Sequence, residues 1–263
     1  MEAALIDPRS DAPAGDSTGA APPLHARWLG RVAYPEAHAL QRRLVDDRAA
    51  GAIGDQLLLL EHPPVLTLGR QSDPAHILAT AEDLAARGIT VEQAERGGEV
   101  TYHGPGQLVA YPIIRLHERG LLLRPFVRAL EAALIETCAA HGVVAARRDG
   151  HPGCWCDPDG PSPRKIGALG LRVERGVSYH GIALNVTTHL PDFDLIDPCG
   201  LPQAEVTSIA AEAGWPDHDS VPSTSSVASA ADRFEHAFRL RLEEASAASV
   251  QADRSDPTPV GAF

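Results

Sequence analysis

Two β-rich segments follow one another along the chain with only two residues between them. Residues 165–174 and 177–185 combine glycine with apolar residues, and the dipeptide Arg175-Gly176 separates them. A two-residue connection with glycine in second place is typical of a tight β-hairpin. The fold must therefore accommodate an antiparallel strand pair.

The rest of the chain mixes strand-like and helix-like segments. Pro112 predicts that the strand within 107–116 lies at a sheet edge or bends there. Strands and helices do not alternate regularly enough for a doubly wound sheet, so we expect an α+β (mixed α/β) single domain. Further strands are predicted at 24–32, 56–60, 65–68, 90–94 and 143–145, and helices at 34–50, 80–87, 124–141 and 230–245.

The two ends of the chain differ in composition from its middle. Residues 1–23 are rich in Ala, Pro, Gly, Asp and Ser, which predicts a disordered N-terminal extension. Residues 223–229 are rich in serine and predict a linker, and residues 247–263 predict a disordered tail. The folded domain is then expected to span residues 24–246.

Charge and hydropathy exclude several classes of function. The net charge of −12 over 263 residues argues against a general nucleic-acid binder. No stretch approaches the about 20 apolar residues that a membrane helix needs, and the N-terminus lacks the apolar segment of a secretory signal. We therefore expect a cytoplasmic protein without nucleic-acid or membrane partners.

The four cysteines are too few and too scattered for a disulfide framework. Cys138 lies in a helical run and is expected in the core. Cys154 and Cys156 flank Trp155 on a short predicted strand that places both on one face. Their C-x-C spacing differs from that of structural zinc sites, and no second ligand pair follows, so no metal is expected.

The fourth cysteine, Cys199, lies between Pro198 and Gly200 in a predicted turn. A turn presents a side chain from a loop rather than packing it into a core. A lysine ammonium near it, for which Lys165 is the candidate, would favour the nucleophilic thiolate. This pair suffices for covalent acyl transfer without a metal or a nucleotide.

The segment 96–107 is the densest in glycine and in polar donors. Its sequence is Arg-Gly-Gly-Glu-Val-Thr-Tyr-His-Gly-Pro-Gly-Gln, and its glycines let a backbone approach a ligand closely. An apolar strand follows it instead of a helix, and no G-K-[ST] sequence occurs, so a nucleotide loop is not indicated and no cofactor is expected. His103 is either an acid–base group or a structural histidine.

Four motifs of the chain occur in the same order and at matching spacing in one known family. They are residues 96–107, Lys165-Ile-Gly-Ala-Leu-Gly170, Tyr179-His-Gly-Ile-Ala-Leu-Asn-Val186 and Asp197-Pro-Cys-Gly200. In these motifs the chain resembles the lipoyl(octanoyl) transferases of lipoate biosynthesis, and the resemblance runs from about residue 28 to 245. Asp197 stands where asparagine is common, and Gly167 where a larger residue is.

The resemblance implies a fold, a mechanism and a site. The fold is that of the biotin/lipoate protein ligases, a mixed β-sheet flanked by helices. Cys199 takes an octanoyl group from acyl carrier protein as a thioester, while Lys165 lowers the pKa of the thiol and moves protons. The implied acyl pocket comprises Arg96, Gly97, Gly98, Glu99, Val100, Thr101, Tyr102, His103, Ala168, Leu169, Gly170, Gly181, Ile182 and Ala183.

The resemblance also implies two kinds of partner. Octanoyl-acyl carrier protein is the donor. The acceptors are the lipoyl domains of 2-oxoacid dehydrogenase complexes and the glycine cleavage system H protein. Because both kinds are acidic as a rule, we expect a local basic patch, with Arg70, Arg172 and Arg175 as candidates.

Two alternatives remain open at this point. An ATP-dependent lipoate or biotin protein ligase shares the implied fold but needs no cysteine in a Pro-Cys-Gly turn. A non-catalytic module that binds carrier proteins would leave Cys199 inert.

Overall fold

The structure is a computed structural model that describes residues 22–197, 205–215 and 226–255. The helices are α1 (Tyr34–Ala49), α2 (Ala81–Ala86), α3 (Leu123–Ala140), α4 (Ile209–Glu212) and α5 (Val227–Ser255). Short 3-10 turns span Pro74–His76, Leu116–Arg119 and Leu190–Leu195. The strands are β1 (Leu24–Arg31), β2 (Asp55–Glu61), β3 (Val65–Leu68), β4 (Thr90–Gln93), β5 (Thr101–His103), β6 (Gln107–Ile113), β7 (Ala146–Arg148), β8 (His151–Cys156), β9 (Arg164–Glu174), β10 (Val177–Asn185) and β11 (Glu205–Val206).

A mixed sheet forms the centre of the molecule. Its strand order is β1-β2-β6-β10-β9-β8-β7, and β11 pairs with β9 at the end that β10 does not reach. β1 runs parallel to β2 and β11 parallel to β9, while the other pairs are antiparallel. The predicted hairpin is confirmed, because Arg175 and Gly176 join β9 to β10 with φ values of 51° and 78°, as a type I′ turn requires.

The main sheet is covered on both faces, which explains the unbroken apolar run of β2. Leu57 and Leu59 contribute to the core cluster that contains α3 and α5. Leu58 and Leu60 point to the opposite face and contribute to the cluster that contains α1. A strand buried on both faces favours a nearly continuous apolar run over an alternating one. The predicted class of a mixed sheet flanked by helices is therefore confirmed.

A second, smaller sheet has the order β4-β3-β5. Its core is a separate cluster built around Leu66, Val100 and Tyr102, and it also includes Ile196 from the end of the third 3-10 turn. β4 is mostly exposed, unlike every strand at the centre of the main sheet. The glycine-rich segment 96–107 starts beside this sheet and contains β5.

Of the two alternatives predicted at Pro112, a sheet edge or a bend, the sheet edge is wrong. Pro112 lies in β6, between β2 and β10, and is paired with Leu57. The pairing of β6 with β10 runs from Gln107 to Ala110 and stops before the proline. A proline has no N–H for the ladder. Here the ladder is interrupted at that point, and the Ser178 hydroxyl donates to the carbonyl oxygen of Pro112 at 2.7 Å.

Three other predicted elements differ from the structure. The strand predicted at 143–145 is irregular, and the chain enters the sheet only at β7. The strand predicted over 107–116 ends at Ile113. Of the predicted serine-rich linker, 223–229, residues 223–225 lie outside the described part and residues 227–229 belong to α5. The helix begins here because the Ser226 hydroxyl caps it by accepting the N–H of Ser229 at 3.1 Å.

The C-terminal helix is longer than predicted. It was expected to end at residue 245, but α5 continues to Ser255, so the tail predicted from residue 247 begins inside the helix. Residues 256–263 lie outside the described part, and so do residues 1–21 of the extension predicted over 1–23. None of the described helices combines the length and apolarity that crossing a membrane requires.

Candidate active site

A cavity of about 130 Å³ lies between the main sheet and the glycine-rich segment, and its surface is mostly apolar. On one side it is bounded by residues 165–170 of β9 and 180–183 of β10, which we call the main-sheet wall. On the other side it is bounded by residues 96–101 and His103, which we call the loop wall. The remaining lining residues are Tyr34, Gln107, Val109, Tyr111, Trp155, Asn185, Phe193 and Val206.

The structure brings the predicted pocket residues together at this cavity, with one exception. Tyr102 is buried in the core of the small sheet instead, and its hydroxyl donates to Asp192 Oδ2 at 2.8 Å. Burial, followed by this hydrogen bond, raises the pKa of its phenol well above the ordinary value. Successive residues of a strand point to opposite faces, and this alternation turns Tyr102 away while its neighbours Thr101 and His103 line the cavity.

Glycines allow the two walls to approach each other. The Gly97 N–H donates to the Leu171 carbonyl at 3.1 Å, which joins the loop to β9. A Cβ at Gly170 would lie 3.1 Å from the Gly97 carbonyl oxygen. Within the main-sheet wall, a Cβ at Gly181 would overlap the backbone oxygen of Ala110 on β6. The glycines of the two motifs therefore serve close backbone packing around the cavity.

Arg96 anchors the loop wall to the small sheet. It is almost fully buried, and its Nη2 donates to the backbone oxygen of Thr67 at 2.6 Å and to Thr67 Oγ1 at 2.9 Å. Its Nη1 donates to the carbonyl oxygen of Gly97 at 3.1 Å. A Cβ at Gly69 would overlap the carbonyl oxygen of Gly98, so the turn after β3 also needs glycine to accept the loop.

Lys165 lies near the start of β9, between β8 and β11, and lines the cavity. Its Nζ lies 5.2 Å from the centre of the buried Trp155 ring, a distance at which a cation is attracted by the ring face. The guanidinium of Arg148 lies 5.0 Å from the same ring. Trp155 Nε1 donates to the His151 backbone oxygen at 3.0 Å, which holds the ring in place.

Cys199 belongs to the segment 198–204, which lies outside the described residues. The described chain lines the cavity on both sides of this segment, through Phe193 before it and Val206 after it. Val206 is paired with Lys165, and the Thr207 N–H donates to the Lys165 backbone oxygen at 3.0 Å. The chain therefore returns from the segment that contains the cysteine directly beside the lysine.

The three described cysteines do not resemble nucleophiles. Cys138, Cys154 and Cys156 are buried in the same core cluster, as predicted for Cys138 and for the shared face of the other two. A hydrogen bond with Cys154 and burial raise the pKa of Cys138 far above its ordinary value. Burial raises the pKa of Cys156 to about 12. Thiols of this kind stay protonated and unreactive at neutral pH.

His103 is held in one tautomer by Gln107. The amide nitrogen of Gln107 donates to the Tyr102 backbone oxygen and to Asn185 Oδ1, so its Oε1 is an acceptor and His103 Nδ1–H donates to it at 2.7 Å. Burial and the neighbouring His62 lower the pKa of His103 to about 3. His103 is therefore neutral at physiological pH, with the lone pair on Nε2.

A group of buried aromatic side chains that sequence analysis did not select extends from the cavity-lining Tyr34 and Tyr111 to His62. His62 Nδ1–H donates to the Val32 backbone oxygen at 2.7 Å, and Tyr111 donates to His62 Nε2 at 2.7 Å. Burial lowers the pKa of His62 to about 4 and raises that of Tyr34 to about 12.

His180 also belongs to the cavity, and burial lowers the pKa of its imidazole to about 3. Its backbone has a φ of 54°, which few residues other than glycine adopt. The motif from Tyr179 to Val186 contains His180, and that was the only sequence signal for it. No sequence pattern indicated that Tyr34, Tyr111 or Trp155 would reach the same cavity, because they come from distant elements.

The three arginines of the predicted basic patch do not form one equivalent group. The Arg70 N–H donates to the Arg96 backbone oxygen at 3.1 Å. Arg172 directly follows Leu171, whose carbonyl oxygen accepts the Gly97 N–H of the loop wall. Arg70 is exposed and Arg172 half-buried. Arg175 lies at the β9–β10 turn and forms an ion pair with Asp46. Arg70 and Arg172 therefore flank the cavity, whereas the charge of Arg175 is locally balanced.

The chain is similar in sequence and in fold to known proteins. Residues 33–239 match the lipoyl protein ligase A/B catalytic domain. Octanoyltransferases of Acidobacterium capsulatum and Chloroflexus aurantiacus are 51% and 49% identical to this chain over 72% and 73% of its length, covering 80% and 85% of their own. A crystal structure of lipoate-protein ligase A bound with ATP shares the fold, with a TM-score of 0.55, 14% identity and coverage of 89% of this chain and 95% of that one.

Proposed function

The chain belongs to the family of lipoyl protein ligase A/B catalytic domains, and from this premise we propose that it is an octanoyltransferase of protein lipoylation. The donor is octanoyl-acyl carrier protein. The acceptors are the lysines of lipoyl domains, as in 2-oxoacid dehydrogenase complexes and the glycine cleavage system H protein. The observation that supports this best is a mostly apolar cavity with Lys165 in its wall, beside the strand that returns from the Cys199 segment.

The proposed reaction has two steps. In the first, the Cys199 sulfur attacks the carbonyl carbon of the donor thioester, and the carrier thiolate leaves and takes up a proton. In the second, the acceptor amine attacks the Cys199 thioester, the C–S bond breaks, and an amide forms while the amine loses a proton. The first exchange is nearly isoenergetic and the second is downhill, so neither needs a nucleotide.

An apolar cavity suits an octanoyl chain. Each methylene that leaves water contributes about 0.8 kcal/mol, so a buried eight-carbon chain contributes several kcal/mol. Leu169 and Ile182 belong to the main-sheet wall and offer apolar surface to such a chain, while the glycines keep space open. Substrate binding is accordingly assigned to the residues of the two walls, with Tyr102 supporting the loop from behind.

The proton of the acceptor amine needs a base, and Lys165 fits this role better than His103. A general base works best with a pKa near the operating pH. The pKa of His103 is about 3, so its imidazole is a weak base that is better suited to accept a hydrogen bond from a substrate. Lys165 as an ammonium stabilises the Cys199 thiolate, and once the thiol is acylated, its neutral amine can take the proton.

Intact mass spectrometry tests the proposal. The protein is mixed with octanoyl-acyl carrier protein without ATP, and we expect the gain of one octanoyl group that hydroxylamine removes. Cys199→Ala should lose the adduct, whereas Cys156→Ala, the matched control at a buried thiol, should keep it. The absence of an adduct on the reduced native protein would exclude the thioester route. Acceptor modification that requires free octanoate and ATP would support the ligase alternative instead.

A further inference from the structure

Three side chains from different elements converge beside the main-sheet wall. His38 lies on α1, Glu95 follows β4, and His180 lies on β10; their nearest ligand atoms all lie within 4.8 Å of one another. His38 Nε2 and Glu95 Oε2 are 3.6 Å apart. We propose that these residues form a binding site for a divalent transition-metal ion, with zinc as the best fit. The proposal does not depend on the acyl-transfer function.

The two imidazoles have coordination capacity that the protein does not use. His180 is 2% exposed, and its Nε2 is buried without a hydrogen-bond partner among the described residues. His38 Nε2 is buried in the same way, and its ring stacks on that of His180 at 5.6 Å with an interplanar angle of 11°. Buried polar atoms normally have a partner, and those that lack one call for an explanation such as an absent ion. A neutral imidazole nitrogen is a common zinc ligand.

The backbone holds His180 in this orientation at a conformational cost. Its φ of 54° lies in the left-handed region, and its N–H donates to Gln41 Oε1 on α1 at 2.8 Å. Strained backbone of this kind persists where the surroundings impose it, frequently at binding sites. Gln41 and His38 both belong to α1. The same helix therefore positions the backbone of His180 and supplies His38 as a second ligand.

The distances permit tetrahedral coordination after a small adjustment. Zinc binds nitrogen and oxygen at about 2.0–2.2 Å, which places tetrahedral ligand atoms about 3.4 Å apart. The 3.6 Å separation of His38 and Glu95 is close to this value. Glu95 is exposed and His38 half-buried, so both can move toward the fixed His180. The fourth position would be open to water.

The hydrogen bonds of Glu95 suit a metal ligand, although nearby arginines oppose a cation. Tyr179 donates to Glu95 Oε2 at 2.8 Å, the kind of outer hydrogen bond that orients metal-binding carboxylates. Arg42 lies 3.4 Å from the same oxygen, but Glu174 balances its charge at 2.8 Å. Besides burial, the positive charges of Arg42, Arg96 and Arg172 lower the pKa of His180, and the same charges disfavour a bound cation. Imidazole ligands suit zinc better than magnesium or calcium.

Metal titration of the full-length protein tests the site. To exclude the reactive thiol, all proteins carry Cys199→Ser. Zinc binding is measured by competition with a chromophoric indicator, and the coordination by the visible spectrum of bound Co²⁺. We expect one zinc per chain and a Co²⁺ spectrum without sulfur charge-transfer bands. His38→Asn and Glu95→Gln should each weaken zinc binding by at least about 10-fold, as loss of a direct ligand exceeds loss of an outer partner.

Two further variants complete the test. His180→Asn should abolish binding, and because asparagine tolerates positive φ it keeps the backbone geometry. His76→Asn is the matched control, since His76 also faces a carboxylate, Glu99 at 3.2 Å, but no third ligand joins this pair among the described residues. The proposal is overturned if the Cys199→Ser parent protein binds no zinc, if His38→Asn and Glu95→Gln bind it as this parent does, or if sulfur bands appear.

Discussion

The main-sheet wall and the loop wall border one cavity but are built very differently. Every residue of β10 is buried, and the strand has neighbours on both sides. The loop wall instead belongs to the small sheet, whose strand β4 is mostly exposed and whose core cluster is separate. Regions with few buried contacts open more easily than core strands. Under the proposed function, we expect the stiff wall to position Lys165 and the loop wall to admit the substrate.

Removal of the lysine from the main-sheet wall should give the largest effect. Lys165→Ala is expected to lower octanoyl transfer by about 10³-fold, the scale of a lost acid–base group, without changing thermal stability much. Lys165→Arg keeps a positive charge that cannot be deprotonated. It should therefore still form the acyl-enzyme in the mass assay but fail to modify the acceptor.

The neighbouring Arg164 provides the control for this pair of variants. Its guanidinium forms a bidentate pair with Glu212 at 2.7 and 3.0 Å, which fixes the charge one residue before Lys165 on the same strand. Arg164→Ala should retain transfer within a few-fold of the native rate. An equal loss of transfer rate in Arg164→Ala and Lys165→Ala would mean that both substitutions disturb the structure of β9, and that the loss does not report the chemistry of Lys165.

A pair of glycine variants compares the stiffness of the two walls. In Gly181→Ala the added methyl meets the backbone of β6 within the sheet. The free energy of unfolding, measured in urea, should fall by about 3 kcal/mol. In Gly69→Ala the methyl meets the backbone of Gly98, which belongs to the loop wall. The loop can move away, so the loss in stability should be about 1 kcal/mol or less, with a lower rate of transfer. Equal losses of stability would contradict the proposed difference.

The stability of the protein should depend on pH through the buried His62, which follows β2 of the main sheet. The pKa of His62 is lowered from about 6.5 to about 4 by burial, so the folded protein keeps it neutral while the unfolded chain protonates below 6.5. The free energy of unfolding must then fall as the pH falls from 6.5 toward 4. Between pH 7 and pH 5, the free energy of unfolding measured in urea should fall by about 2 kcal/mol less for His62→Gln than for the native protein. His236→Gln, on the exposed side of α5, should follow the native curve.

Arginines near the loop wall should give the smallest effect. Arg70→Ala and Arg172→Ala are each expected to raise the KM for octanoyl-acyl carrier protein by about 3- to 10-fold at low salt, because charges at a rim mainly steer association. Arg175→Ala should change KM little, since Asp46 balances its charge. Steady-state kinetics at two salt concentrations measure this. An equal response of all three arginines would restore the single patch that the sequence predicted.

Local patterns were sufficient to predict much of the fold and of the site. The strand around the apolar run 57–60, the helix predicted over 124–141 and the Arg175-Gly176 turn are set by residues close in sequence. The residues predicted from the glycine-rich motifs line one cavity, apart from Tyr102, and their role in binding an acyl chain stays a prediction. The sheet-edge alternative for Pro112 was wrong because an interruption in the β6–β10 ladder, which no local pattern reveals, accommodates the proline.

What the sequence alone determined is thus most of the elements and the family, since these depend on short motifs. Only the tertiary structure decided which side chains share a space. Trp155 meets Lys165 because β8 and β9 are neighbours, and His38 meets His180 because α1 covers β10. Contacts between distant segments depend on how the whole core packs, and no single segment encodes them.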